Sequence, residues 1–224
     1  MNDKIKWYRG LLFSKGLFLI YAIDCLGCDC NASADKDIVF SRLEEEGIDE
    51  LIAFHDTYCI NWNYLFSAED VKSRLGRGHR CYMAHKNKHL VGFLWVAFES
   101  VYSPDLLTTF QFQSRCFVTY NEFIQPNYRG KNILPSIKRN IFQELVSEGY
   151  KKCFNYVRAD NISEIRSNKK IDASVVGTIA CGYFLGYYFV HPSIKDNIGI
   201  TAHISESHFF RWKSFLSKIY RKPL

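Results

Sequence analysis

Glu122-Phe-Ile-Gln-Pro-Asn-Tyr-Arg129-Gly130-Lys131-Asn132-Ile133-Leu134 is the stretch that decides how this chain is read. The run from Arg115 to Gln125, rich in β-branched and aromatic residues, leads into it as a strand. After it, Ser136 to Glu148 carries apolar residues at helical spacing, and Gly149 stops the helix. A strand that feeds a glycine-containing basic turn and then a helix N-terminus is a site for an anion. The first N–H groups of the helix have no partner of their own, and the helix dipole favours negative charge there. Arg129 and Lys131 add positive charge beside it. A diphosphate is the natural occupant. The turn lacks the Gly-x-x-x-x-Gly-Lys-Ser/Thr of a Walker loop, and its single glycine is too few for a Rossmann turn. The plain alternative is a surface turn with two solvated cations.

Working outward, Ser41 to Asp56 has acidic residues on one face and Leu43, Ile48, Leu51 and Ile52 on another, which predicts a helix. Ser67-Ala-Glu-Asp70 caps a second helix that ends near Gly76-Arg-Gly78. Arg80–Ala84 and Leu90–Phe98 are strands joined by the polar turn His85–His89, hence a hairpin. The apolar Leu90–Phe98 should be central. Glu99 to Thr109, with Pro104, reads as a loop. Lys152 to Arg158 is a strand, and Asn161 opens a helix to about Lys170. Ser174 to Tyr188 holds one or two strands. His208 to Arg221 reads as a terminal helix. The expected fold class is mixed α/β, with a single central sheet and flanking helices. The hairpin and Arg115–Gln125 should be antiparallel neighbours. Lys152–Arg158 should run parallel to Arg115–Gln125, because a helix connects them. The expected division is an N-terminal apolar and basic extension over 1–40 packed on the main domain, the domain itself over 41–195, and a basic aromatic tail over 196–224.

Of the 224 residues, 47% are hydrophobic, 16% aromatic and 23% charged, with a net charge of +6. That is a globular composition, large enough for one domain, and its positive balance suits an anionic ligand. The excess is too diffuse to predict nucleic-acid binding. Among eight cysteines, Cys81, Cys116 and Cys153 sit in strand-like runs and read as small buried hydrophobes. The cluster Cys25, Cys28 and Cys30 has spacing that could hold part of a zinc site, yet no second cluster follows, and no metal is expected. Leu11 to Ile23 follows Lys4, Lys6 and Arg9 in the manner of a signal peptide, but Lys15 interrupts it and no cleavage site follows. It is read as two short strands or a helix turning at Ser14-Lys15-Gly16, and the location as cytoplasmic.

Tyr128-Arg129-Gly130-Lys131-Asn132-Ile133 resembles the pyrophosphate-binding segment of the GCN5-related N-acetyltransferases, which is often written Tyr-Arg-Gly-Lys-Gly-Ile-Gly. Asn132 stands where the family mostly has glycine, and Leu134 where it has glycine or alanine. A second, weaker match follows at the same distance as in the family. Asn161, Lys170 and Ile171 fit, while Asn168 stands in place of the family's tyrosine and Asp172-Ala173 in place of Gly-Phe. The likeness spans roughly residues 80–190.

The resemblance implies an acetyl-CoA-dependent N-acyltransferase in which a primary amine attacks the thioester directly. The strand Arg115–Gln125 would splay from its neighbour and hold the pantetheine arm through backbone groups at Phe123 and Ile124. Tyr128, Arg129, Gly130, Lys131, Asn132, Ile133 and Leu134 would hold the pyrophosphate, with Ser136 adding a hydroxyl. Asn161 and Asn168 complete the expected cofactor set. Glu122 is the expected general base, flanked by Tyr120 and Ile124 on one face by alternation, where apolar surroundings would raise its pKa. Its alternative is a glutamate at the solvated end of a strand. With Asn168 in place of tyrosine, Tyr120, Ser167 or a water would have to act as the acid.

Two further readings stay open. The basic aromatic segments Lys6–Arg9 and Phe209–Lys222 could lie on an anionic membrane surface, or pack on the domain or across a homodimer. The motif departures could mark a catalytically degenerate protein that binds an acyl-CoA without turnover. The amine acceptor is not legible; an amino sugar, a small amine and a protein amine all fit.

Overall fold

The computed structural model describes residues 14–26, 37–59, 66–184 and 187–204. Cys28 and Cys30, the N-terminal basic run and the helix expected at 208–221 lie outside the described residues. The strands are β1 (Ser14–Asp24), β2 (Ile38–Arg42), β3 (Arg80–Lys86), β4 (His89–Ala97), β5 (Ser100–Ser103), β6 (Thr108–Phe112), β7 (Cys116–Ile124), β8 (Lys152–Arg158), β9 (Ser174–Phe184), β10 (Tyr187–Ile194) and β11 (Ile200–Ile204). The α-helices are α1 (Ile48–Tyr58), α2 (Ala68–Gly76), α3 (Ile133–Ser147) and α4 (Ile162–Lys169). Eight strands form one mixed sheet in the order β10-β9-β1-β8-β7-β4-β3-β2, and β11-β6-β5 form a smaller one.

The hairpin β3–β4 turns at Asn87 and Lys88, both left-handed (φ 51° and 66°), the two-residue turn that matches strand twist. The strand β4 is buried along nearly its whole length, as its apolar run predicts, and it pairs antiparallel with β7. The pairing of β7 with β8 is parallel, with α3 as the crossover, as expected. A reciprocal capping box between Ser67 and Asp70 opens α2, and the Asn161 side chain caps α4 by accepting from the Glu164 N–H.

Three readings are corrected. Residues 14–24 are neither a helix nor two short strands. They form the single strand β1 inside the sheet, antiparallel to both β8 and β9. Gly16 continues this strand opposite Cys181, and its lack of a Cβ, which would sit 3.0 Å from the Cys181 Sγ, leaves room for that side chain. Ser41 and Arg42, expected in a helix, end β2, and the helix itself begins at Ile48. The segment expected as a loop over 99–109 holds β5 and the start of β6, which add a small second sheet beside the central one.

The core lies on both faces of the large sheet. On one, Leu51 and Phe54 of α1 and Val71 of α2 pack with Phe93, Trp95, Tyr120, Phe154 and, from the small sheet, Phe110. On the other, Ile133, Ile137, Ile141, Phe142 and Leu145 form the apolar stripe of α3 against Leu94, Phe117, Ile124 and Cys153. Cys59, Cys81, Cys116, Cys153 and Cys181 are buried free thiols, and Cys25 is buried. Among the described residues no group of three or more histidine, cysteine and acidic side chains could hold a metal, and no helix is long and apolar enough to cross a membrane.

Candidate active site

The parallel strands β7 and β8 pair only over Cys116–Val118 and Lys152–Phe154. Beyond that point they part, although β7 continues to Ile124 and β8 to Arg158. The carboxyl ends of parallel strands are where α/β sheets take ligands, because crossover helices leave a crevice there. A cavity of about 890 Å³ opens at this parting. It is lined by Tyr120, Asn121 and Glu122 of β7, by Asn155, Tyr156 and Arg158 of β8, and by Asn161 and Glu164 of α4. Arg74, His79 and Tyr102 also line it.

At the end of β7 the chain makes a 3-10 turn at Pro126–Tyr128 and enters α3. Gly130 (φ 76°) and the N-cap Asn132 (φ 57°) are both left-handed. Asparagine bears that conformation better than other residues with a side chain, which explains how it stands in place of glycine. Among the described residues the N–H groups of 130–134 make no backbone hydrogen bond, so this turn keeps a row of free donors at a helix N-terminus. Pro135, third in the helix, contributes none. Ser136 is buried, and its N–H is already bonded to the Asn132 carbonyl at 3.1 Å. Lys131 is exposed, 4.9 Å above the Tyr128 ring, and Lys170 reaches the Asn132 Oδ1 at 2.7 Å. The Arg129 side chain is turned back onto β7. Its Nε donates to the Ile124 carbonyl at 3.0 Å, and its guanidinium lies 5.4 Å over the Phe123 ring. The Ile124 carbonyl, one of the backbone groups expected near the pantetheine arm, thus accepts from Arg129. Phe123 turns its ring toward Phe54 and Phe93.

Glu122 and Tyr120 are not on one face. Asn121 adopts a left-handed conformation (φ 47°), and the pairing with β4 shifts between Phe93 and Trp95, a β-bulge that breaks the alternation. Tyr120 therefore faces α2, while Glu122 faces α3 along with Ile124. The Tyr120 hydroxyl lies 2.6 Å from the His79 Nδ1. The Arg74 guanidinium is 5.4 Å over the Tyr120 ring and donates to the Asn121 Oδ1 at 3.0 Å. Burial, helped by Arg77 and Arg74, lowers the His79 pKa to about 4, so this imidazole is neutral at physiological pH. Burial raises the Tyr120 pKa.

Glu122 sits in a buried ionic cluster. Lys138 of α3 is fully buried, with its Nζ 2.9 Å from the Glu122 Oε2, 3.1 Å from the Glu164 Oε1 and 3.4 Å from the Asn168 Oδ1. Asn168 and Asn155 exchange amide hydrogen bonds at 3.0 and 3.3 Å. Burial raises the Glu122 pKa well above the carboxylate range, and the Glu164 charge adds to this against the opposing pull of Lys138. Burial would raise Glu164 too, but Lys138 and a hydrogen bond from Glu122 outweigh it, and its pKa is lowered. Asn168, expected at the cofactor, instead supports Lys138. Ser167 buries its hydroxyl in α4 and is not part of the cavity wall.

The partners Lys138, Glu164 and Asn155 were not singled out from the sequence. The signal for Lys138 is a cation within the apolar stripe of a helix, with Ile141, Phe142 and Leu145 following at i+3, i+4 and i+7. Glu164 and Asn168, four apart, share a helix face.

No family model matches the sequence, and no curated protein does. Solved structures do share the fold. One is a conserved protein of unknown function from Staphylococcus epidermidis, 12% identical over 80% of this chain and 66% of that one, with a TM-score of 0.54. Another is the GCN5-related glucosamine N-acetyltransferase region of a fungal multi-domain GH3 β-N-acetylglucosaminidase, 13% identical over 84% of this chain and 22% of that one, at 0.55. A third is a protein from Novosphingobium aromaticivorans assigned to the GNAT acetyltransferases, 13% identical over 75% of this chain and 63% of that one, at 0.52. The chain spans less than two thirds of the length of each. At these identities the likeness is one of fold, and the fold is that of the GCN5-related N-acetyltransferases.

Proposed function

We propose that this chain is an N-acetyltransferase that passes the acetyl group of acetyl-CoA to a primary amine by direct attack. The observation that carries the reading is the parting of β7 from β8 between a cationic row of free N–H groups at the start of α3 and a cavity of about 890 Å³. The turn 130–134 with Lys131 and Lys170 would bind the diphosphate, and the crevice would take the thioester. The cavity, walled by Arg74, Asp105, Asn155, Arg158 and Asn161, would take a polar amine. Glu122 borders that cavity and has the raised pKa that proton transfer near neutral pH requires. Acetyl-CoA binding followed by calorimetry tests the reading. Arg129→Ala should weaken it by about 1–3 kcal/mol through lost charge and a loosened turn. Thiol release against a panel of amines then tests turnover.

A second reading, an acyl-CoA binder without turnover, is favoured by three features: the Arg129 side chain bonded to its own strand, Pro135 in the cradle, and Glu122 held by a buried lysine. Binding without thiol release for any amine would select it.

A further inference from the structure

Lys138, Glu122 and Glu164 present a problem of charge. Three ionisable groups from β7, α3 and α4 meet around a single nitrogen, with side-chain exposures of 0%, 9% and 17%. Fully ionised, the cluster would bury one net negative charge, which a low-dielectric site resists. Lys138 cannot give up its proton, since two carboxylates within 3.1 Å hold its pKa above the ordinary lysine value. The remaining way to neutralise the cluster is one proton held between the two carboxyl groups. Two close carboxyls that cannot both ionise behave in this way, each stabilising the other's opposite state.

We propose that Glu122 and Glu164 form a proton-sharing carboxyl pair, clamped by Lys138, that performs both proton transfers of the acetyl transfer. The proposal rests on the acetyltransferase reading. It fills the acid's role, which Asn168 cannot perform. In the resting cluster the proton sits on Glu122 and Glu164 is the carboxylate. As the amine nitrogen bonds to the acyl carbon and the carbon–sulfur bond breaks, the electron pair of that bond goes to sulfur. The sulfur then takes the pair's single proton by way of Glu164, the less enclosed carboxyl. The proton released by the nitrogen returns to the pair, so the pair ends each turnover with the single proton it began with. Both residues line the cavity, and Glu164 is the less enclosed of the two carboxyls. Lys138 touches neither reactant and is a positioning residue. Lys138 and Glu164 are the charged groups that act on Glu122; Glu122 in turn raises the pKa of Tyr156 and Cys153 of β8, both kept neutral by burial, and Glu164 raises that of Tyr21 of β1.

The test begins on the wild-type protein alone, with no acetyl-CoA present. Difference infrared spectroscopy should show the carbonyl band of a protonated, buried carboxylic acid at neutral pH, disappearing only at alkaline pH. Glu122→Gln should abolish that band. Glu164→Gln should also abolish it at neutral pH, because Glu122 left alone with Lys138 ionises. If the protein turns over, kcat should fall as the band disappears, and in Glu164→Gln that fall should move down by at least about one pH unit, a tenfold loss at the wild-type optimum. Absence of the band in wild type, or its persistence in Glu122→Gln, overturns the proposal while leaving acetyl-CoA binding intact. A protein that shows the band but binds no acetyl-CoA contradicts the acetyltransferase reading instead.

Discussion

Single side chains carry most of the chemistry here, and two of them make stability predictions. Lys138 is fully buried between two carboxylates. Removing one partner of a buried ionic cluster leaves charge uncompensated, so Lys138→Ala should destabilise the fold by about 3–5 kcal/mol in denaturant unfolding. Lys138→Met should cost less if protonation of both carboxyls follows, and its loss should then grow as pH rises. His79 makes a pH prediction. Its folded pKa, about 4, lies below the unfolded value of 6.5, so the fold favours the neutral ring. The unfolded chain takes up the proton first as pH falls. This contribution is present above pH 6.5 and is lost as pH falls toward 4. Thermal unfolding of wild type against His79→Gln across that window should show wild type losing more. At this scale the sequence was half legible. Glu122 stood out as the sole carboxylate between Asp105 and Glu144. Its partners did not, because Lys138 and Glu164 meet it only once α3 and α4 have docked.

Between elements, the bulge at Asn121 separates the functions of β7. It sends Tyr120 to the His79 and Arg74 side and Glu122 to the α3 side, and strict alternation could not foresee it. Its cause is long-range: a one-residue shift against β4, near Gly92. A Cβ on Gly92 would meet the Ile124 Cδ1 and stand 2.8 Å from the Phe123 carbonyl oxygen. Gly92→Ala should therefore destabilise the protein by about 1–3 kcal/mol by forcing β4 from β7, measured as a drop in the denaturant midpoint. Helix starts were legible because capping is local, as at Ser67 and Asn161. The small sheet was not. Ser100-Val-Tyr-Ser103 is short, Pro104 follows directly, and its partner β6 is itself completed by β11, nearly ninety residues later. The same holds for β1, whose place between β8 and β9 depends on strands more than a hundred residues away.

For the whole molecule, the central claim is that the crevice at the parting of β7 and β8 binds acetyl-CoA with its diphosphate at the start of α3. Arg129 is a compromised probe of the claim, since its side chain also braces Ile124. Lys131 is exposed and, among the described residues, lies over the Tyr128 ring, so its replacement should leave the fold undisturbed. Binding should also be visible as stabilisation, about 2.7 kcal/mol at a hundredfold excess of acetyl-CoA over its Kd. The most direct measurement is a calorimetric titration of acetyl-CoA into wild type and Lys131→Glu. Wild type should show one site per chain, and the variant an affinity lower by about tenfold or more, since a charge beside the diphosphate is reversed. Equal affinity in the two proteins, or no binding by wild type, would contradict the claim.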